Sequence, residues 1–437
     1  MKHLFLAPLF VLIPGLMLGQ ASAPKGDWIA THTYAIDADA EGFADLAFLK
    51  EEIGDRRIVA LGEQTHGDGA TFEARARLVQ YLMEEMDFEV VLYESGMLDM
   101  HVANEKMHAS GSVDSLKKGL YPFWRQEEQH AELFAYWQTR LNENRPFTVG
   151  GFDAKHTSNY GFQNHQYTRQ ITALFEQGHP ALLDHENLKE YISTWQLIED
   201  QWHTPSIKRI NYKMKQEEKA RLRELSQWVV QELNAMEQPY WATLAHNLDE
   251  ITLAYSDVRL LKLLLNKKSF IPINNRRDEL MANNLTYLLR EEYADKKVIL
   301  IGATYHFIRN NDQIKPMLLE GVPLHESTIM GDLTYGQFHE DIYTIGFTAY
   351  EGTYGNIVEG KKPSTVEQPD ENSLEYALAS RDFSHAFVSL QGSAADAFWA
   401  HEPTLRLFDY KTNTKSNQWH QVLDGVYFIK TMTPVVR

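Results

Sequence analysis

The sequence predicts an α/β fold: a mostly parallel central sheet flanked by helices, with a large helical subdomain inserted between strands. Three observations point there. Short apolar runs alternate with amphipathic stretches of helical period over residues 57–152, which is the β-α-β-α-β order of a parallel sheet. The runs are continuously apolar, as expected of strands covered on both faces. Strand signals then nearly vanish from about 168 to 293 and return at 297–301, so a helical segment interrupts the sheet.

Taken in order, Lys2 and His3 precede an apolar stretch from Leu4 to Leu18, followed by small residues. This is the tripartite pattern of a secretory signal peptide over residues 1–23. The stretch is short for a membrane span and contains Pro8 and Pro14, so the mature chain is expected to lack one. Ala21-Ser22-Ala23 offers a cleavage site, but Pro24 after it hinders cutting; cleavage after Gln20 is the alternative. A periplasmic or secreted protein is expected, with one domain over residues 24–437. Residues 28–57 read as a lead-in with a helix around 43–53.

The first strand is expected over 57–61. A helix over 71–87 follows, with Phe72, Leu78, Val79, Leu82, Met83 and Met86 on or near one face. The run 89–93 ends at Glu94, a helix covers 127–143, and 146–152 leads into Asp153. Within the insertion, 217–237 and 242–265 have helical spacing. Trp195, Trp202, Trp228 and Trp241 lie in this region; large aromatics at helical spacing usually pack. Further strands are expected at 343–347, 386–390 and 425–429. Residues 351–373, rich in Gly, Pro, Lys, Glu and Asn, read as a loop.

The formal charge of −18 argues against nucleic acid as a partner. The absence of cysteine removes disulfides, thiol nucleophiles, zinc–thiolate sites and a lipoprotein anchor. Oligomeric state is not legible.

Two apolar runs end alike: Ile58–Leu61 runs into Gly62-Glu63-Gln64-Thr65-His66, and Val298–Ile301 into Gly302-Ala303-Thr304-Tyr305-His306. Glycine permits a sharp exit, and each histidine falls just past a strand's carboxyl end. In open α/β sheets that edge is where ligands bind. Glu94, Asp153 and His156 fall at two further strand ends. A neutral imidazole accepts a proton near pH 7, and a neighbouring carboxylate fixes its tautomer. Any one of these residues alone is more often a turn or cap residue than a catalyst; their convergence is what points to acid–base chemistry.

Several other chemistries lack their signatures. No Gly-x-Ser-x-Gly elbow, His-Glu-x-x-His motif, complete dinucleotide fingerprint or phosphate-binding loop occurs. Hydrolysis by an activated water survives, as does a His/carboxylate metal site.

Leu61-Gly62-Glu63-Gln64-Thr65-His66-Gly67 resembles the Leu-Gly-Glu-x-Thr-His-Gly signature of the erythromycin esterase family. Val91-Leu92-Tyr93-Glu94, Tyr121-Pro122-Phe123-Trp124, Val149-Gly150-Gly151-Phe152-Asp153 and Arg276-Arg277-Asp278-Glu279-Leu280-Met281-Ala282-Asn283-Asn284 match later blocks in order. Met330-Gly331-Asp332-Leu333, Ile345-Gly346-Phe347 and Leu423–Ile429 are similar too. The resemblance implies an ester or lactone hydrolase, with a small-molecule substrate, no cofactor and no covalent Ser intermediate. It implies His66 as general base, Glu63 and Glu94 orienting it and the water, and His306 and Arg277 binding the ester carbonyl and its oxyanion. Asp153, Trp124 and Tyr305 are expected at the substrate. One departure stands out: the family has His-Asn-x-His after the later strand, and here Ala303 replaces the first histidine, with Tyr305 as a substitute hydrogen-bond donor.

Two alternatives accompany this reading. His66, Glu63, Glu94 and His306 could ligate zinc or manganese in a metal-dependent hydrolase. Alternatively, a non-enzymatic envelope protein could bind haem through His306 or Tyr305.

Overall fold

The computed structural model describes residues 25–125, 128–156, 165–202, 214–256, 271–315, 318–319, 322–323, 326–356, 361–391, 399, 401–416 and 418–436. The expected signal peptide lies outside them. So do residues 203–213 and 257–270 of the expected insertion, and with them the end of the helix expected over 242–265.

Nine of the described strands form one sheet. In chain order they are β1 (Thr33–Ile36), β2 (Ile58–Leu61), β3 (Phe88–Gly96), β4 (Thr148–Asp153), β5 (Lys297–Ile301), β6 (Ile342–Tyr354), β7 (Ser364–Thr365), β8 (His385–Ser389) and β9 (Gly425–Met432). Their spatial order is β1-β8-β9-β6-β2-β5-β3-β4, with β7 pairing on β6. The six from β9 to β4 run parallel. At the other side β8 runs antiparallel to β9 and to β1, and β7 is antiparallel to β6. The expected mostly parallel sheet is therefore present, with an antiparallel side.

Both faces of the sheet are covered, which explains the unbroken apolar runs. Val59, Leu61, Val91, Tyr93, Ile299 and Ile301 point to one core, shared with helices Gly69–Glu85 and Ala131–Asn142. Ile58, Ala60, Val90, Leu92, Val298 and Leu300 point to the other. That second core is roofed by the insertion: helices Gln166–Gly178, Glu186–Trp202, Gln216–Ala235, Pro239–Ser256 and Ile271–Tyr287. A third cluster packs Trp28, Leu374, Trp399, Val426 and Phe428 near the antiparallel side.

Some expectations need adjusting. The lead-in contains a strand, β1, whose four residues pair with β8 at the sheet edge; four residues carry too little pattern to be read as one. The helix expected over 43–53 is a 3-10 turn, Ala44–Leu46, followed by Leu49–Ile53. The stretch 351–373 is not all loop, since β6 continues to Tyr354 and β7 folds back on it.

The strand order positions the site. β2 sits at the centre, with β5 on one side and β6 on the other. The chain leaves β2 for β3 and β4, makes the helical excursion, and returns as β5 between β2 and β3. Connections thus diverge to opposite sides of β2, which opens a crevice at the carboxyl ends. The carboxyl ends of β2, β5, β3 and β4 lie side by side there.

Candidate active site

The loop after β2 is held from beneath. Gly62 approaches the loop after β5 so closely that a Cβ on it would lie 2.2 Å from Thr304 Oγ1. Thr304 N donates to Glu63 O at 2.9 Å, tying the two strand ends together. Thr65 donates through its backbone N (2.9 Å) and Oγ1 (2.6 Å) to buried Asp68. Burial pushes the Asp68 carboxyl up to about 7, against the Thr65 hydrogen bonds and with help from nearby Glu63. Gly67 O accepts from Gly355 N and Val435 N. The loop is therefore anchored to two distant segments of the chain.

His66 stands on this loop. Its Nδ1 donates to Glu63 Oε1 at 2.5 Å. Glu63 is fully buried, and its other oxygen sits 2.7 Å from Arg75 Nη1 in an ion pair and accepts from Trp124 Nε1 at 3.3 Å. A carboxylate flanked by a guanidinium and an indole N–H is fixed in place, and it fixes the imidazole tautomer in turn. The His66 ring stacks on Phe123, with centroids 4.1 Å apart and planes 12° off parallel. His66 Nε2 has no protein partner among the described residues, and the side chain is 27% exposed.

A second constellation forms where β3, β4 and β5 end. Glu94 Oε1 accepts from Arg277 Nη2 at 2.8 Å and lies 3.2 Å from His306 Nε2. Its Oε2 accepts from the Ala303 backbone N at 2.9 Å. Arg277 reaches in from helix Ile271–Tyr287 and also donates to Asp153, at 2.6 Å from Nη2 and 3.2 Å from Nε. His306 Nδ1 donates to Asp278 Oδ2 at 3.0 Å, an oxygen that also accepts from Met330 N. Tyr121 OH donates to Asp153 Oδ2 at 3.3 Å.

The charges follow from this packing. Burial alone would raise Glu94, but His306 and Arg277 outweigh it and hold the carboxyl well below its usual range. Burial alone would lower His306, but Asp278 and Glu94 on either side push it up to about 9. His306 is thus an imidazolium at neutral pH. Arg277 Nη1 faces His306 Nε2 at 3.4 Å; both atoms are then donors, so neither satisfies the other. Asp153 and Glu94 keep Arg277 charged against the cost of its burial.

The structure brings five sequence-predicted residues into one crevice. His66 and Glu63 form one pair, and Glu94, Arg277 and His306 the neighbouring cluster. Asp153 belongs too, as the anchor of Arg277. Trp124 is a correction: it is fully buried and supports Glu63 from behind, so it does not line the cleft. Tyr305 lies beside His306, with ring centroids 5.0 Å apart, and its hydroxyl accepts from Asn274 Nδ2 at 3.0 Å. His156 sits apart, 3.5 Å from Asp99 and edge-on to Trp195.

Three residues escaped the sequence reading. Arg75 lies on the buried stripe of helix Gly69–Glu85 between Phe72 and Val79, and a charge on an apolar stripe was the available signal. Asp278 follows Arg277 directly in the Arg276–Asn284 block. Lys155 stands two residues past Asp153, and its ammonium is packed between the rings of Tyr121 and Tyr255.

Among the described residues, no group of three or more His, Asp or Glu side chains is arranged to hold a metal ion. The Arg277 guanidinium lies between Glu94, Asp153 and His306. Both nitrogens of His306 are committed to carboxylates, which leaves it poorly suited to axial ligation of haem.

Comparison with known proteins agrees with the family resemblance. The family model for erythromycin esterase matches residues 83–431. A putative hydrolase of Bacillus subtilis, YbfO, is 27% identical over 421 residues, covering 94% of this chain and 91% of that protein. Erythromycin esterase type II of Escherichia coli is 21% identical over 378 residues, covering 82% and 86%. A succinoglycan biosynthesis protein superposes with a TM-score of 0.74 at 16% identity, covering 94% of this chain and 97% of the other. A mutant of the erythromycin esterase EreC in its open conformation gives 0.67 at 15%, covering 92% and 98%. At such identities the structures speak to fold alone. With the family model spanning most of the length, the chain belongs to the erythromycin esterase family.

Proposed function

We propose that this protein is a hydrolase that opens an ester or lactone of a small molecule by direct attack of water. The observation that carries the reading is the His66–Glu63–Arg75 arrangement. A buried, ion-paired carboxylate accepts a hydrogen bond from Nδ1–H of a partly exposed imidazole, which leaves a lone pair on Nε2 at the crevice. That is the requirement for a general base acting on water.

The reaction then runs as follows. Water gives a proton to His66 Nε2 as its oxygen bonds to the ester carbonyl carbon. The charge that develops on the carbonyl oxygen is met by Arg277 Nη1, and the His306 imidazolium beside it, whose N–H groups go to Asp278 and Glu94, adds its positive charge. Fixed donors aimed at a developing oxyanion are often the largest contribution to such rates. When the carbon–oxygen bond breaks, the proton on His66 passes to the departing alkoxide. Glu63 stays ionised throughout and stabilises the imidazolium form of His66. No serine, thiol or metal takes part in this scheme.

The decisive experiment is a hydrolysis screen over macrolide lactones, simple esters and peptides, with His66→Gln as control. Ester or lactone turnover that disappears in the variant supports the reading, and undiminished turnover overturns it. Activity that survives dialysis against a chelator fits a metal-free reaction; loss reversed by zinc or manganese overturns that part. Export rests on the N-terminal pattern alone, and N-terminal sequencing of the mature protein tests it.

A further inference from the structure

A row of half-buried side chains leads away from the base along one wall of the crevice. The His66 ring stacks on Phe123, and Phe123 stacks on Tyr121, with centroids 4.9 Å apart and planes 16° off parallel. The Lys155 ammonium sits 5.7 Å from the Tyr121 ring centroid and 5.9 Å from that of Tyr255. Tyr255 comes from helix Pro239–Ser256 of the insertion, so this row joins the base to the helical roof.

Lys155 is the unusual member. The Tyr121 hydroxyl accepts a hydrogen bond from it, and two ring faces attract it. Yet no carboxylate oxygen of the described residues lies within ion-pair distance of Nζ; each of the other cations of the crevice, Arg75, Arg277 and His306, has one. Asp153, whose charge acts on Lys155, is already taken. Its Oδ2 accepts from Arg277 and Tyr121, and its Oδ1 from Arg277 and the Lys155 backbone N. An ammonium has three donors. Burial beside the Arg277 guanidinium works against this one, and Tyr121, Tyr255 and Asp153 keep it charged without giving Nζ an ion-pair oxygen. A bound ligand can bring that negative oxygen.

We propose that Lys155 is a substrate-recognition residue for an anionic group, and that the natural substrate is an ester or lactone with a carboxylate, phosphate or sulfate on its non-reacting arm. The proposal rests on the esterase reading and adds the substrate's charge to it. The reacting carbonyl meets His66, Arg277 and His306. The arm follows the edges of Phe123 and Tyr121, and its anionic end pairs with Lys155.

The test uses mono-4-nitrophenyl esters of straight-chain dicarboxylic acids of increasing length, each compared with its neutral methyl ester. At the length that spans from base to ammonium, kcat/KM for the anionic ester is expected to exceed that of the neutral one at least about tenfold. Lys155→Gln brings that ratio close to one, and Lys155→Arg preserves it. A readout independent of turnover is calorimetry with the free dicarboxylate of the same length against its diamide. Binding of the dicarboxylate by the wild-type protein, lost in Lys155→Gln, supports the subsite even if no ester is hydrolysed. That combination would defeat the esterase reading alone. A ratio of one or below at every length, or a preference and binding that persist in Lys155→Gln, overturns the proposal.

Discussion

Arg277 Nη2 donates to Glu94 Oε1 at 2.8 Å, although 183 residues separate them in the chain. The same nitrogen also reaches Asp153. One guanidinium therefore gathers the ends of β3 and β4 onto a helix of the insertion and leaves Nη1 facing the crevice beside His306. In the proposed reaction, positioning and charge stabilisation are combined in this single side chain.

Replacing Glu94 by Gln removes the anion that Arg277 and His306 share. Breaking a buried ion pair costs on the order of 3–5 kcal/mol, because the partner charges stay buried. Chemical denaturation of Glu94→Gln is expected to show a loss of this size, with kcat reduced more than KM is raised. A variant as stable as wild type would mean that the cluster relaxes around the amide.

His66→Gln keeps a polar side chain on the loop but cannot accept the water proton. General-base groups contribute roughly 10²–10⁴-fold, and kcat is expected to fall within that range while the melting temperature stays unchanged. Steady-state kinetics alongside a thermal melt separate the two effects.

The His306 charge gives a pH signature. Its folded pKa, about 9, stands above the usual 6.5 because Asp278 and Glu94 outweigh burial. A raised pKa means that the folded state holds the proton more tightly. The resulting stability is fully present below about 6.5 and is lost as pH rises through about 9. The shift corresponds to roughly 3 kcal/mol at most. Denaturation midpoints of wild type are expected to fall across this window, and those of His306→Gln to stay flatter. Turnover should fall over the same alkaline range as the cation at the oxyanion is lost.

Trp124→Phe preserves the ring against Tyr93 and His66 but deletes the N–H to Glu63. A loss in kcat of about tenfold is expected, equivalent to about 1.4 kcal/mol, without a change in KM. A matching rise in KM would instead place Trp124 at the substrate.

At Gly62 a methyl group would collide with Thr304, lying 2.2 Å from Oγ1 and 3.0 Å from Cα. Gly62→Ala must therefore push apart the loops that carry His66 and His306. Overpacking of this kind costs about 1–3 kcal/mol, so a lower melting temperature and reduced turnover should appear together.

Much of this was legible in the sequence, for physical reasons. Val298–Ile301 and Ile58–Leu61 are buried on both faces, so their unbroken apolar character marked them as inner strands. The glycines that end them meet close neighbours, Thr304 for Gly62 and Glu94 for Gly302, and the polar residues beyond them duly met in one crevice. Strand order was not legible, because pairing is a long-range choice that local pattern does not encode. Nor were the supporting roles of Arg75 and Trp124, which depend on the angle at which two helices approach Glu63. His156 shows the converse. It stands three residues past Asp153, yet the chain turns it towards Asp99 and the helical roof. Proximity in sequence to a site residue did not make it one.

The placement of β5 between β2 and β3 has a consequence for how the molecule is assembled. Leu61 pairs with Ile301, and Tyr93 with Ile301 from the other side, so the central seam closes only after the whole helical excursion has been made. Contacts between such distant parts of a chain carry a large loop-closure cost and slow folding. Until β5 arrives, β2 and β3 each present an unpaired edge, the kind of surface on which chains aggregate. Reactive geometry and the slowest pairing of the fold thus coincide: the crevice exists only once the seam has closed.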